Sequence, residues 1–269
     1  MPAPVALLIA GLVFLLATPL TQQHEYIPFS YVGSTGPNKW GSLNQQFSVC
    51  STGKQQSPVN IVKDEVVYNP KLQPLIRYYS SANATLINRG FQIGLLYGHG
   101  VGVLDIDGKS YNLLQMHWHS PSEHTIDGVR HAAELHLVHA ADDGSLAVVA
   151  ILYKYGDPDP ILFQLKGYIN ELAKEICAGD EEAHIPISLV RTKQIKRSTR
   201  KYYRYVGSLT TPPCTENVIW TILGKVREIS KEQVHNLTAL LEPGYKNNSR
   251  PVQPLNGRKI YLYNEKHKN

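Results

Sequence analysis

His117, His119 and His136 are the residues of this chain best suited to chemistry. The first two stand in Ser110-Tyr-Asn-Leu-Leu-Gln-Met-His-Trp-His119, a run that alternates like a β-strand. Successive strand side chains point to opposite faces, so both imidazoles share a face with Gln115 while Trp118 takes the other. In the next apolar run Glu134 and His136 share a face, with Leu135 and Leu137 opposite. If the two strands are neighbours, three imidazoles and two hydrogen-bonding groups converge. Three protein ligands, with a fourth position left to water, make a catalytic zinc site. Gln115 and Glu134 are placed to accept from the second ring nitrogen of two of those ligands. A lone His-x-His is a weak signal, and His124 and His139 show that the region is simply rich in histidine. The spacing therefore leaves both a ligand and an ordinary core reading open.

The elements that must position these residues are short strands separated by Gly, Pro, Asn and Asp. Gly90 to Tyr97, Val101 to Ile106, Ser110 to His119, Arg130 to His139 and Leu146 to Tyr155 read as strands. Asp107-Gly108 between two alternating runs is a hairpin-turn signal. Helix is the minority: Pro160 to Ala178 has apolar residues at helical spacing, and Ser230 with Gln233 forms a capping-box pattern. No repeat, low-complexity block or linker divides the chain, which predicts one mainly β domain with a few surface helices.

Of 269 residues, 42% are hydrophobic and 18% charged, which supplies a real core and excludes disorder as the main state. Residues 1–22 read as a signal peptide whose apolar run, Val5 to Ala17, is shorter than the roughly 20 residues of a membrane span. Residues 23–269 form the domain, with no stable membrane span after cleavage. Asn83, Asn236 and Asn247 open glycosylation sequons, usable only in a secretory lumen. Cys50, Cys177 and Cys214 allow one disulfide and one leftover thiol, without saying which pair forms. These features predict export, to the apoplast, a periplasm or a plastid reached through the secretory route. The net charge of +5 is concentrated in Lys193 to Lys201, which lacks the interleaved aromatics of a nucleic-acid groove. That stretch reads as a solvated loop, and no nucleic-acid partner is expected.

Gln115-Met-His-Trp-His-Ser-Pro-Ser-Glu-His124 followed by Ala132-Ala-Glu-Leu-His-Leu-Val-His139 resembles the signature of the α-class carbonic anhydrases. Gly36-Pro-Asn-Lys-Trp40, Gln56-Ser-Pro-Val-Asn-Ile61, Gly207-Ser-Leu-Thr-Thr-Pro-Pro213 and Arg250-Pro-Val-Gln-Pro-Leu255 follow in the family's order, with a plant- or bacterial-type look. The resemblance implies one domain with a large central, mostly antiparallel twisted sheet. It implies Zn2+ held by His117, His119 and His136, supported by Gln115 and Glu134, and reversible hydration of carbon dioxide to bicarbonate. It assigns Thr210 and Glu123 to orienting the attacking hydroxide, and Thr211, Val138, Val148, Leu209 and Trp220 to substrate. Without it, Thr210 and Thr211 would be turn residues and the apolar four ordinary core. It also pairs Cys50 with Cys214, leaves Cys177 free, and places cis bonds at Ser57-Pro58 and Pro212-Pro213.

The sequence departs from the family at one chemical position. Where fast members carry a proton-shuttling histidine after Asn88-Arg-Gly90, this chain has Phe91, which cannot titrate. Proton release is then expected to be slow and to depend on buffer, water or another group such as His99 or Tyr31. Gly94 and Arg89 change the neighbouring cleft wall. A storage or binding protein that keeps the fold with incidental activity is the alternative reading.

Overall fold

The computed structural model describes residues 29–98, 100–179, 183–193, 195 and 199–267. The expected signal peptide, His99 and part of the basic stretch lie outside the described residues.

The described residues contain eleven strands of four or more residues: β1 (Ile76–Tyr79), β2 (Ala82–Asn88), β3 (Ile93–Tyr97), β4 (Gly102–Ile106), β5 (Lys109–His119), β6 (Ala133–Ala140), β7 (Leu146–Tyr155), β8 (His184–Val190), β9 (Lys201–Ser208), β10 (Glu216–Leu223) and β11 (Tyr261–Asn264). The two longer helices are α1 (Pro160–Cys177) and α2 (Lys231–Ala239). One large sheet runs β8-β2-β3-β5-β6-β7-β10-β9-β11 and continues to Val67–Tyr68. Its long pairings are antiparallel except β7 with β10, which run parallel. The mainly β, mostly antiparallel architecture read from the sequence is the one observed.

Local chemistry accounts for the boundaries. Asp107 and Gly108 both adopt positive φ, the twist a two-residue hairpin needs, and join β4 to β5. Asp159 caps α1 by accepting from the Ile161 and Leu162 amides, and Ser230 with Gln233 forms the expected capping box of α2. The strand expected from Gly90 begins at Ile93 instead. Residues 89–92 form a turn closed by the Arg89 amide donating to the Gln92 carbonyl, with Gly90 at φ 75°. The strand expected from Arg130 begins at Ala133, because Val129–Arg130 pairs with Thr125–Ile126 in a separate small sheet.

Strand alternation divides the interior. Met116, Trp118, Leu135 and Leu137 join the larger core, which includes the apolar stripe of α1. Val138, Val148, Ala150, Trp220 and Ile222 join a smaller core on the opposite face. The disulfide is Cys50–Cys214, and Cys177 is free and exposed. Cross-linking positions 164 apart stabilises by up to about 5 kcal/mol in the chain-entropy picture. Both expected cis bonds occur, with a third at Ser120-Pro121. Asn83 and Asn247 are exposed, and Asn236 is half-buried on α2.

His139 lies past a bulge in the β5–β6 ladder and faces away from the other strand histidines. It is fully buried, stacks on Tyr79 and accepts from its hydroxyl at 2.7 Å, while its Nδ1 donates to the Ala147 carbonyl at 3.1 Å. Burial holds its pKa down to about 3. The unfolded chain binds this proton near pH 6.5, so the stability contributed by neutral His139 is present above 6.5 and lost as pH falls toward 3. Urea unfolding of wild type and His139→Gln at pH 7 and pH 5 checks this. The wild type is expected to lose about 2 kcal/mol more than the variant over that interval.

Candidate metal centre

The register of β5 with β6 builds the site. His117 lies opposite His136, His119 opposite Glu134, and Gln115 opposite Val138. Register partners share a face, so one small patch collects three imidazoles, a carboxylate and a carboxamide. The three ring centroids are 4.7–5.1 Å apart, and one nitrogen from each ring falls within 4.8 Å of the others.

Each imidazole is fixed through its other nitrogen. His117 Nδ1 donates to Gln115 Oε1 at 2.8 Å, His119 Nδ1 to the Asn248 carbonyl at 2.6 Å, and His136 Nε2 to Glu134 Oε1 at 2.8 Å. A neutral imidazole with one nitrogen donating presents a lone pair on the other. Three lone pairs, on His117 Nε2, His119 Nε2 and His136 Nδ1, therefore face one another, with His117 and His136 only 3.3 Å apart. Burial lowers the basicity of His117 and His119, and repulsion from neighbouring histidines adds to it.

Glu134 is the anchor beneath. Its Oε2 accepts from the amides of Glu123 and His124, and its Oε1 accepts from His124 Nδ1 as well as His136. Burial alone would raise this carboxyl's pKa, but His124, His136 and these bonds hold it well below the usual range. His124 in turn accepts from the Tyr205 hydroxyl, which meets Ser57 Oγ.

The donor set fits a divalent ion that prefers nitrogen. His119 Nε2 and Glu123 Oε2 are buried and have no hydrogen-bond partner, and they lie 3.6 Å apart at the focus of the three rings. The three imidazole lone pairs have no proton between them and repel, and a cation is the group that satisfies them. No cysteine approaches, so the chemistry is that of an open histidine site rather than a closed thiolate one.

The remaining expected residues surround this point unevenly. Val138, Val148 and Trp220 lie in one buried cluster with Leu209 packed against it, and the Trp220 ring sits 4.8 Å from His136. Thr210 is buried and Thr211 half-buried. No hydrogen bond joins Thr210 to Glu123: Glu123 Oε1 accepts from the Arg250 amide and Oε2 faces the histidines. Phe91 is half-buried with its ring 5.1 Å from Phe29, whose other ring neighbours are Tyr31, Trp40 and Tyr245. Tyr31 does not suit proton release near neutrality, because burial and then Glu123 push its hydroxyl well above its ordinary pKa.

Sequence reasoning missed three supports. Asn248, seen only as the middle of a sequon, supplies the His119 acceptor and donates from its side chain to the Phe91 and Trp118 carbonyls. His124, dismissed as surplus histidine, clamps Glu134. Arg250 is fully buried, bonds Gln56, Ser57 and Cys50, and lies over Trp40. No strand alternation marked His124, whereas Arg250 heads the matched segment Arg250-Pro-Val-Gln-Pro-Leu255, which was a signal.

The model of the eukaryotic-type carbonic anhydrases matches residues 35–264. The chain belongs to the α-carbonic anhydrase family. It is 44% identical over 230 residues to alpha carbonic anhydrase 7 of Arabidopsis thaliana, covering 85% of this chain and 81% of that one. It is 37% identical to dioscorin DB3L of Dioscorea polystachya, covering 87% and 86%. Among solved structures, dioscorin complexed with ascorbate aligns with TM-score 0.84 at 35% identity, covering 88% of this chain and 98% of that one. The α-carbonic anhydrase of Thermovibrio ammonificans complexed with sulfanilamide aligns with TM-score 0.78 at 34% identity, covering 87% and 99%. α-Carbonic anhydrases are zinc-dependent in general, and the histidine triad of this member is a set that can hold a metal.

Loss of one acceptor behind a ligand typically costs 10–100-fold in metal affinity. Gln115→Ala is therefore expected to weaken zinc binding about tenfold in chelator competition, and His119→Ala to abolish stoichiometric zinc in metal analysis.

Proposed function

We propose that this α-carbonic anhydrase is a zinc-dependent carbonate dehydratase, interconverting carbon dioxide and bicarbonate, with slow proton release. The observation that carries the reading is the convergence of three oriented imidazole lone pairs beside a buried apolar wall. His117, His119 and His136 would hold the ion, with Gln115, Asn248 and Glu134 fixing their tautomers. Zinc, when bound, supplies the Lewis acidity that makes water nucleophilic at neutral pH.

The chain's own residues do the rest. Val138, Val148, Leu209 and Trp220 offer an uncharged, weakly polar substrate a dry surface next to the histidines. Thr211, half-buried and next in the chain to Thr210, would border the same space. Glu123 Oε1 is taken by the Arg250 amide, so Oε2, which has no hydrogen-bond partner, would be the oxygen to accept a Thr210 proton. Thr210 so oriented would accept from the attacking hydroxyl and discriminate against protonated anions. The complete donor set favours catalysis over the storage or binding role.

Export through the secretory pathway is part of the same proposal. A disulfide between distant segments suits an oxidising compartment, and no helix among the described residues is long and apolar enough to cross a membrane. Asn83, Asn236 and Asn247 are the proposed glycan acceptors.

Phe91 sets the expected kinetics. A positioned proton-transfer group contributes about 10²–10⁴-fold. Stopped-flow hydration in weak buffer is expected to be slow, to rise steeply with added imidazole, and to rise at least about tenfold in Phe91→His. Stoichiometric zinc with no hydration at any buffer concentration contradicts the proposal. Equal turnover of wild type and Phe91→His in weak buffer contradicts the role given to Phe91.

A further inference from the structure

One register row crosses the sheet through the supports of the centre: Pro186, Thr85, Leu96, Gln115, Val138, Val148 and Trp220. Paired residues of a sheet project to the same face. The acceptor behind His117 and the apolar wall therefore share a floor with Leu96, Thr85 and Pro186. Burial grades along the row: Pro186 is exposed, Thr85, Leu96 and Gln115 are half-buried, and Val138, Val148 and Trp220 are buried. Adjacent strands lie about 4.8 Å apart, which puts Thr85 on β2 roughly 10 Å across the sheet from Gln115 on β5. The outer end of the row is the rim of the ligand-bearing face.

That rim carries a groove of about 580 Å³ over β8, β2 and β3, lined by Asn83, Thr85, Leu96, Gly98, Pro186 and Ser188 among others. Grooves of this size hold molecules as large as a disaccharide. Leu96 and Pro186 offer apolar ground for the carbon faces of sugar rings, and Thr85 and Ser188 offer hydroxyls. Asn83 and Thr85 are the first and third residues of a glycosylation sequon. On an alternating strand they share a face, while Ala84 between them belongs to the larger core. The acceptor amide of exposed Asn83 thus opens into the groove itself. The other two sequons differ: half-buried Asn236 lines a groove of only about 110 Å³ between α1 and α2, and Asn247 stands in an exposed turn.

We propose that an N-linked glycan on Asn83 seats its first two sugars in this groove and screens the approach to the metal centre from the β8 side, admitting small molecules and hindering bulky ones. Attachment forms a bond from Asn83 Nδ2 to the anomeric carbon of an oligosaccharide carried on a lipid pyrophosphate. The anomeric C–O bond breaks, the lipid pyrophosphate leaves, and the amide gives up one proton. The proposal rests on the export and glycosylation reading and is independent of carbon dioxide turnover. Covalent tethering fixes which molecule occupies the groove, and selection then works by clash against large ligands rather than by contact with small ones.

The test uses the full chain secreted from a host that adds high-mannose glycans, loaded with zinc, as wild type, Asn83→Gln and Leu96→Lys. Glycopeptide mass spectrometry is expected to find Asn83 occupied. On the native protein, release by endoglycosidase H is expected to be at least about threefold slower from Asn83 than from Asn247, and equal after denaturation. Leu96→Lys is expected to erase that difference. Sulfanilamide, a small zinc-directed probe, should bind wild type and Asn83→Gln within about twofold, whereas sulfanilamide coupled to dextran should associate about three- to tenfold faster with Asn83→Gln. Equal release from the two sites of the native protein, or equal association of the coupled probe with wild type and Asn83→Gln, overturns the proposal. Occupancy at Asn247 without occupancy at Asn83 overturns it alone, whereas a secreted chain with no glycan at all overturns the glycosylation reading as well. Failure of free sulfanilamide to bind would contradict the metal centre, and the seat of the glycan is then read from the release rates.

Discussion

The pairing of β5 with β6 puts His117 against His136 and His119 against Glu134, and the rest of the centre follows from that register. A slip of β5 by one residue would carry His117 and His119 into the larger core and bring Trp118 to the site. With the register set, each imidazole spends one nitrogen on an acceptor and turns the other inward. Facing lone pairs are unfavourable unless a cation joins them, so the polar scaffold costs stability until the ion is held. Glu134 offsets part of this cost, because four donors share its charge in a fully buried setting.

The sheet also separates tasks. One face buries the large aromatic and aliphatic core against α1, which holds the strands straight and in place. The other places oriented polar groups directly beside Val138, Val148 and Trp220, so the substrate wall and the ligand platform are alternate products of the same strands. The Cys50–Cys214 segment reaches the centre through Arg250. Its guanidinium binds the Cys50 carbonyl while its amide binds Glu123. Glu123 is thereby positioned by a part of the chain distant in sequence.

Much of this was legible in the sequence because it depends on local periodicity. Two-residue alternation put Gln115, His117 and His119 on one face, and Asp107-Gly108 marked the hairpin that feeds β5. Residue spacing alone could not show that β5 and β6 are neighbours, and family resemblance supplied the expectation. Two of the supports that escaped notice, Asn248 and Arg250, act across long sequence separations. Asn248 reaches His119 through its backbone carbonyl, which no side-chain pattern reveals. Phe91 was read only as a missing histidine, whereas its ring packs against Phe29 and its carbonyl receives Asn248. The turn at 89–92 shortened β3 for the same reason: a backbone hydrogen bond, not hydrophobic alternation, decides where the strand begins.

The central claim is that three histidine nitrogens form one open zinc site. X-ray absorption at the zinc edge of the purified protein, loaded at one equivalent, tests it most directly. The account predicts a four-coordinate ion with three imidazole nitrogens at about 2.0–2.1 Å, one further light ligand and no sulfur. A sulfur shell, or a spectrum without imidazole scattering, would contradict it.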